Sequence, residues 1–499
     1  MAFACTTPSQ AASWRFSPSV GATATYTDNA RQGNNNSDDA LILSVTPGFS
    51  LNMEGSRRLN ASINYSMTAV TRFGGSDDSD LYHSLGAIGR AEIVDDFFFV
   101  DATARLSQNL VSLFGSDADV TSNNANRANS GVFSISPYVV QRFGTFATGQ
   151  ARYTTGGAIY GDNAAANARI NAFTAGLASG SQFNDLSWAL NYSIRDADNR
   201  GNVSDSTFER ASATLGYALT RKFRVFGTVG REWNDFISAG NVDGDSYSVG
   251  FGWAPNQRTS IEMSAGERYF GRTFSASGAY RTRATNWTLR YVEDVSDITQ
   301  QLLEDSGRIF WACNGSLFET LDFNPPAGQA NCAGPFNGFQ IAQVLTQFGV
   351  PLSDLIALGL LNVGLNNGVF VSKSLRAGVS WRIGPRTDLG VSAFDTRRLY
   401  QAITDAEDRS RGLSSTVSYR LSPHTSANGS IGYTRNSGSA ALLGSARDDD
   451  TVSLSLGMNH RFSRDLTGAL TFRHQQRDSN TANADYTENS VSASVNMRF

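Results

Sequence analysis

The stretch 489-NSVSASVNMRF-499 decides the fold class of this chain, because apolar and polar side chains alternate along it without interruption. The apolar set is Val491, Ala493, Val495, Met497 and Phe499, and the polar set is Ser492, Ser494, Asn496 and Arg498. A period of two indicates a β-strand, whose successive side chains point to opposite faces. A soluble β-sandwich and a β-barrel in lipid both produce this pattern, so the rest of the chain has to distinguish them.

The composition favours many short strands over helical membrane spans. The chain has 499 residues, only 40% of them hydrophobic, with a mean hydropathy of -0.27. We find no apolar run of about 18 residues, the length that a transmembrane helix needs. The 47 glycines, 31 phenylalanines and 16 tyrosines suit strands joined by polar turns. A net charge of -4 gives no electrostatic reason to expect nucleic acid as a partner.

The same alternation recurs in about 22 runs between residues 14 and 499, most of them longer than the ~9–11 residues that cross the hydrocarbon layer. Tight links such as RFGTF and LTRKF alternate with long polar ones such as DNARQGNNNSDDA. Short periplasmic turns and long outer loops are typical of outer-membrane barrels. We therefore predict one all-β transmembrane antiparallel barrel of about 22 strands over residues 13–499, with both termini periplasmic, and disfavour a soluble sandwich.

The final residue suggests a role in assembly. Phe499 would lie at the periplasmic rim, where aromatic side chains meet the boundary between lipid and water. A last strand that ends in Phe also resembles the signal by which bacterial outer-membrane proteins are recognised by the barrel insertion machinery. Outer-membrane lipid and lipopolysaccharide are the other expected partners.

The cysteines and the first residues bear on the cellular compartment. We interpret residues 1–12 as the remnant of a signal peptide whose true start lies upstream, with acylation at Cys5 as a weaker alternative. Cys313 and Cys332 then form an even pair within one loop. A disulfide between them fits an oxidising compartment, and closing a loop of that length contributes about 3 kcal/mol.

Residues 297–368 form a connection between two predicted strands that is far longer than an ordinary loop. Apolar residues within it recur at helical spacing, which predicts a partly helical insertion clasped by the cysteine pair. We expect this segment to fold into the barrel mouth or lumen as a plug, because it would otherwise expose an apolar patch. Capping the outside or binding a partner is the alternative. The candidate plug residues are Ile341, Val344, Leu345, Phe348, Leu355 and Leu358.

Catalytic and metal-binding signals are weak in the sequence, and nothing in it points to a Ser-His pair of the kind that an outer-membrane lipase or acyltransferase would need. His83, His424, His460 and His474 lack metal-ligand spacing, and no nucleophile or phosphate-binding motif is present. We predict no enzyme activity, no catalytic residue, no metal and no cofactor. The acidic clusters at 76–80, 241–246 and 447–450 are predicted to be solvated outer-loop charges, with Ca²⁺ binding as the lesser alternative.

Charged residues on the inward face are the most informative candidates for function. An ion-pair lattice that keeps a wide wall in shape is one interpretation of them. The other is a polar conduit in which arginine side chains bind anionic or hydroxyl-rich solutes. The candidate lumen-lining residues are Arg105, Arg152, Arg224, Glu262, Arg290, Arg376, Arg382, Arg473 and Arg498.

The opening WRFSPSVGATATYTDNARQ, followed by LILSVTPGFSLNMEGSRRLNASINYSMT, resembles the outer-membrane β-barrel family associated with the PEP-CTERM and exosortase systems. The resemblance rests on Pro18, Tyr26, Asp28, Asn29, Pro47 and Gly48 and on the whole-chain plan. It implies a Gram-negative outer-membrane protein found alongside exopolysaccharide synthesis and export. Exopolysaccharide or other components of an export system are the partners it implies.

The expected function is thus a porin-like channel linked to exopolysaccharide export or surface-polymer assembly. A non-conducting scaffold stays open as an alternative, as does a sheath around an electron-transfer cytochrome, although the chain has no haem-binding Cys-x-x-Cys-His motif. A TonB-dependent receptor is disfavoured, because strands that begin at Trp14 leave no room for an N-terminal plug in this sequence.

Overall fold

A computed structural model of the chain shows a closed, 22-stranded antiparallel β-barrel. The structure describes residues 13–34, 38–54, 58–74, 78–115, 126–161, 167–200, 204–307, 309–313, 316–320, 332–337 and 368–499, with backbone only for residues 305–337. Residues 1–12, including Cys5, therefore lie outside the described part. Within that part, no helix combines the length and apolar character needed to cross a membrane.

Twenty-five strands and two helices are described in all, and the barrel uses every strand except β16–β18. The first fifteen strands are β1 Ser13–Thr27, β2 Ala40–Glu54, β3 Leu59–Phe73, β4 Asp78–Val94, β5 Phe98–Leu110, β6 Arg127–Phe143, β7 Ala147–Tyr160, β8 Ala168–Ser179, β9 Leu186–Asn199, β10 Ser206–Thr220, β11 Phe223–Asp235, β12 Gly244–Asn256, β13 Thr259–Arg268, β14 Gly271–Arg281 and β15 Thr285–Ser296. They are followed by α1 Ile298–Gly307, β16 Ile309–Cys313, β17 Ser316–Thr320, β18 Cys332–Asn337, β19 Phe370–Ile383, β20 Thr387–Tyr400, β21 Glu407–Arg420, β22 Thr425–Gly438, α2 Ala440–Leu443, β23 Arg447–Arg461, β24 Leu466–Ser479 and β25 Tyr486–Arg498.

Each barrel strand pairs with its neighbours in the chain, and β25 returns to pair with β1, with Val491 opposite Tyr26. The pairing skips β16–β18, because β15 pairs directly with β19. Closure removes every free strand edge, so all barrel backbone groups can be satisfied inside lipid. The predicted barrel of about 22 strands is confirmed.

The outward face carries large apolar side chains along every strand. In β12, Tyr247, Val249 and Trp253 are 55%, 70% and 44% exposed, while the intervening Ser246 and Gly252 face the lumen. Exposed apolar area on this scale is unfavourable in water and is what the hydrocarbon layer covers. Tight connections such as 221–222 gather at one end of the barrel, together with Phe499. We call this the short-turn end and the opposite one the long-loop end.

Residues 297–368 begin with a helix that the sequence did not predict at this position. Asp297 caps α1, since its carboxylate accepts a hydrogen bond of 2.8 Å from the Gln300 backbone N–H. Three short strands, β16–β18, then form a separate sheet. Within that sheet Cys313 and Cys332 stand opposite each other in the β16–β18 pairing, but their side chains lie outside the described part. All six candidate plug residues, between Ile341 and Leu358, lie outside it as well.

Candidate functional site: the lumen and its constriction

The strand registers determine which side chains line the lumen, because residues directly opposite each other share a face. Arg105 lies opposite Val132 in the β5–β6 pairing, and Val132 is buried inside the barrel. The same parity places every sequence-predicted lumen residue on the inward face, namely Arg105, Arg152, Arg224, Glu262, Arg290, Arg376, Arg382, Arg473 and Arg498. Whether these residues contact a solute stays a prediction.

Part of this set belongs to a lattice of ion pairs along the wall. Asp101 accepts hydrogen bonds from Arg90 at 2.8 Å and from Arg152 at 2.9 Å. The Arg152 guanidinium also lies 3.9 Å from the centre of the Tyr138 ring, a cation–π contact. Arg382 donates to Asp388 at 3.1 Å. The lattice interpretation of the inward charges therefore holds for these residues.

A second charge cluster lies on β11, β13 and β15 toward the long-loop end. Arg268 donates to Glu232 at 2.6 Å and to Asp294 at 2.7 Å, and both Arg268 and Glu232 are almost fully buried. Nearby, Arg195 donates to Asp297 at 2.6 Å, which joins the wall to the residue that caps α1. Buried charges of this kind are tolerated when each is paired and hydrogen-bonded.

Arg290 and Arg376 make up a different kind of pair. They stand directly opposite each other on β15 and β19, both facing the lumen, and Arg290 is exposed. The other register partners of the two are Ser277 and Phe394. Two arginines at one level of the inner wall place two positive charges there, of the type that binds carboxylates and phosphates in proteins.

The loop that follows β5 folds into the lumen and is held on a part of the wall that is not adjacent to β5. The Asn436 side chain on β22 donates to the Leu113 carbonyl oxygen at 3.1 Å. Arg477 on β24 donates to the Phe114 carbonyl oxygen at 2.8 Å and also to the Gly115 carbonyl oxygen. Strands β22–β24 are separated from β5 by β1–β4 and β25, so residues 111–115 bridge parts of the wall that are not adjacent. We call this contact the latch.

The latch is buried and well paired. Phe114 is 7% exposed, and the Arg447 guanidinium lies 5.6 Å from the centre of its ring. A side chain at Gly438 would collide with that ring, since its Cβ would lie 2.7 Å from the ring's Cζ. Asp449, 1% exposed, pairs with both Arg447 and Arg477. The prediction that residues 447–450 form a solvated outer-loop cluster was therefore wrong, because these residues belong to β23 and alternate residues of a strand face the lumen.

Helix α1 packs against the inner wall beside the latch. Leu302 is 1% exposed and is buried with Ile298 among Val132, Ala158 and Tyr160, all of which are inward-facing residues of β6 and β7. Val111, at the start of the latch loop, packs against the same cluster. The first part of the long segment thus lies inside the barrel and narrows it together with residues 111–115.

The described residues offer no obvious centre for catalysis or metal binding. Among them, no group of three or more His, Cys, Asp and Glu side chains is placed to hold a metal ion. His83 faces outward and shares a hydrogen bond of 2.8 Å with the Tyr65 hydroxyl, and His424 lies in a turn.

Comparison with known proteins adds a partial match to these observations. Residues 372–499 match a family model described as "Putative beta-barrel porin 2". No curated protein matches the chain. Similar solved structures include a mutant of the ferric enterobactin receptor PfeA from Pseudomonas aeruginosa, at 11% identity with a TM-score of 0.48, covering 97% of this chain and 80% of that one. The FrpB iron transporter from Neisseria meningitidis gives the same identity and TM-score and covers 97% and 82%.

The latch residues were missed by sequence reasoning. Asn436 and Arg477 look like ordinary polar positions of alternating strands, and residues 111–115 look like the start of a polar outer loop. The one signal in the sequence is that Val111, Leu113 and Phe114 are apolar although they stand in an otherwise polar connection, which indicates that this part of it is buried.

Proposed function

We propose that the protein is a porin-like channel of the outer membrane of a Gram-negative bacterium, with a lumen narrowed by the latch and by the segment that begins at α1. The observation that carries this proposal is the loop of residues 111–115, which Arg477 and Asn436 hold on the inner face of the barrel. A loop held in this way narrows a pore without blocking it. The partial match to a porin family supports the same conclusion.

The test is single-channel conductance of the purified barrel in a planar lipid bilayer. The double variant Arg477→Met with Asp449→Leu removes the arginine that donates to the loop together with the carboxylate that pairs with it, which avoids leaving a buried carboxylate with one partner fewer. We expect its conductance to exceed that of the wild type severalfold, because residues 111–115 lose their main anchor on β24.

A matched control separates loss of the latch from loss of lumen charge. Arg152→Met with Asp101→Leu also removes an inward ion pair but touches no residue of the latch. We expect this control to conduct like the wild type. Equal conductance in the latch variant and the wild type would place residues 111–115 outside the permeation path and refute the proposal.

A non-conducting scaffold is the second candidate, and one observation favours it. Inward residues such as Ser62, Ser107 and Gln475 are at most 1% exposed, so the lumen is packed with protein over part of its wall. Absence of conductance in the wild type and in the latch variant, with folding verified by heat-modifiable mobility, would support the scaffold or partner-sheathing role.

Two finer parts of the proposal come from the sequence. The link to exopolysaccharide export and the exosortase system comes from the resemblance of the first strands, and loss of surface polymer in a deletion strain would test it. The Cys313–Cys332 disulfide fits the opposite positions of the two backbones. A mass increase after alkylation only under reducing conditions would verify it.

A further inference from the structure

Exposed cations gather at the short-turn end of the barrel. They lie in the tight turns or on the strand residues next to them, and all are exposed. In the part of the chain that is described, none of their side chains has an ion pair or hydrogen bond. They are Arg142, Arg221, Lys222, Arg258, Arg281, Arg283, Arg386, Arg464 and Arg498.

The cations are densest along consecutive turns of one arc of the rim. The turns β10–β11, β12–β13, β14–β15 and β19–β20 carry Arg221, Lys222, Arg258, Arg281, Arg283 and Arg386. We call these six residues the basic arc. The carboxylates of this stretch, Glu262 and Asp388, are both engaged, by Arg224 and Arg382 respectively. Asp96, Asp185 and Asp465 lie on other turns.

The excess of positive charge at this rim contrasts with the negative net charge of the whole chain. The net charge of the protein is -4, so a strongly basic rim means that the rest of the chain carries a net negative charge. A mouth lined by charges of one sign raises the local concentration of oppositely charged solutes and speeds their association. The effect is screened over roughly 8 Å at physiological ionic strength, so it acts on molecules that reach the rim.

The positive charge also continues from the rim into the lumen. Arg281 is the inward-facing residue at the end of β14, and Arg290 and Arg376 face the lumen further along β15 and β19. A folded acidic protein could touch only the rim. A flexible chain could contact the rim and the interior pair together, which is the arrangement that the structure presents.

We propose that the short-turn mouth binds a flexible anionic polymer, with carboxylate or phosphate groups along its length, and admits it to the lumen from this end. The proposal rests on the channel function above and deepens it by giving the direction of entry and the chemical class of the solute. Arginine suits this role because its guanidinium group binds carboxylates and phosphates with two parallel hydrogen bonds.

The first experiment measures block of the channel by added polymer on one side of a planar bilayer. The probes are oligogalacturonate, inorganic polyphosphate and a neutral maltooligosaccharide of matched length. We expect block by the anionic probes from the short-turn side only, weakening as salt is raised, and none by the neutral probe. Preference between the two anions identifies the group that is recognised. Equal block from both sides, or by the neutral probe, would overturn the proposal.

The second experiment uses the triple variant Arg281→Gln, Arg283→Gln and Arg386→Gln. We expect its affinity for the anionic probe to fall at least about tenfold, as loss of charge-assisted contacts predicts. The control Arg272→Gln removes an exposed arginine from the outer face at the long-loop end and should leave the affinity unchanged. Equal affinity of the wild type and the triple variant would refute the assignment.

Binding of fluorescently labelled oligogalacturonate to the barrel in detergent gives the same comparison without conductance. It therefore distinguishes failure of this proposal from failure of the channel function. If a folded acidic protein binds the basic arc while no polymer does, the mouth is a protein-docking surface and the polymer proposal is wrong.

Discussion

Close packing between neighbouring strands makes some single residues irreplaceable. A Cβ added at Gly48 would lie 2.7 Å from the Tyr65 carbonyl oxygen and 3.2 Å from the Ser66 Cβ. The backbone there cannot move without disturbing the pairing of β2 with β3. A side chain at Gly21, on the adjacent strand β1, would meet only ordinary contacts, the nearest at 3.6 Å from the Asn496 side chain.

We expect Gly48→Ala to lower the free energy of unfolding by about 1–3 kcal/mol, the usual cost of overpacking. Gly21→Ala is the matched control, because it adds the same methyl group on the same inward face, and it should change stability by much less. The measurement is the urea midpoint of the folded fraction, followed by heat-modifiable gel mobility. Equal midpoints for the two variants would contradict this account of Gly48.

Phe499 is the second residue for which a specific effect is expected. It is 66% exposed at the short-turn rim, and its backbone N–H donates to the Pro18 carbonyl oxygen at 2.9 Å, where β25 closes on β1. We expect Phe499→Asp to reduce the amount of folded barrel in the membrane while synthesis is unchanged. Phe462, 62% exposed at the β23–β24 turn, supplies the control variant Phe462→Asp. Equal losses in both variants would mean that any rim aromatic serves, with no special role for the closing strand.

At the scale of elements, α1 is held in the barrel by its apolar face. Leu302 is buried against the inner wall, whereas Gln300 points away from it and donates to Glu304 at 2.7 Å. A charge at position 302 would have to be desolvated or would force the helix off the wall. An aspartate at position 302 therefore places a charge on the buried face of the helix, and an aspartate at position 300 places the same charge on its other face.

We expect Leu302→Asp to detach α1 and raise single-channel conductance, with Gln300→Asp close to the wild type. Removal of residues 300–365 should raise conductance severalfold, since it deletes α1 together with the segment predicted to form the plug. Wild-type conductance after the deletion would show that the segment lies outside the permeation path. It would then cap the outside or bind a partner.

At the scale of the whole molecule, the two ends of the barrel differ in loop length and in charge. The connection 439–446 belongs to the long-loop end and the turn 221–222 to the short-turn end. We expect an epitope tag inserted after Ser445 to be accessible on intact cells, and one inserted after Arg221 to be accessible only after the outer membrane is opened. The reverse result would invert the orientation and direct the basic mouth toward the outside of the cell.

The sequence by itself determined the barrel. Period-two alternation fixes which face of each strand is apolar, and the alternation of tight and long connections fixes the antiparallel order and its two ends. These are local properties that short stretches such as 489–499 are enough to show. They predict the number of strands and the inward position of Arg152 and Arg290. Helix α1 escaped detection because its ten residues, ITQQLLEDSG, include only three apolar ones, too few to establish a helical period.

Only the tertiary structure decided which inward residues meet. The sequence gives no distance between Phe114 and Arg477, which are 363 positions apart, and closure of the sheet brings them into hydrogen-bond contact. The register between strands decides what lies next to an inward arginine. Arg152 pairs with Asp101, whereas Arg290 is the register partner of another arginine, Arg376. The alternation of side chains is a property of a single strand. The shape of the lumen depends on contacts between strands far apart in the sequence, and these contacts form only when the last strand has paired with the first.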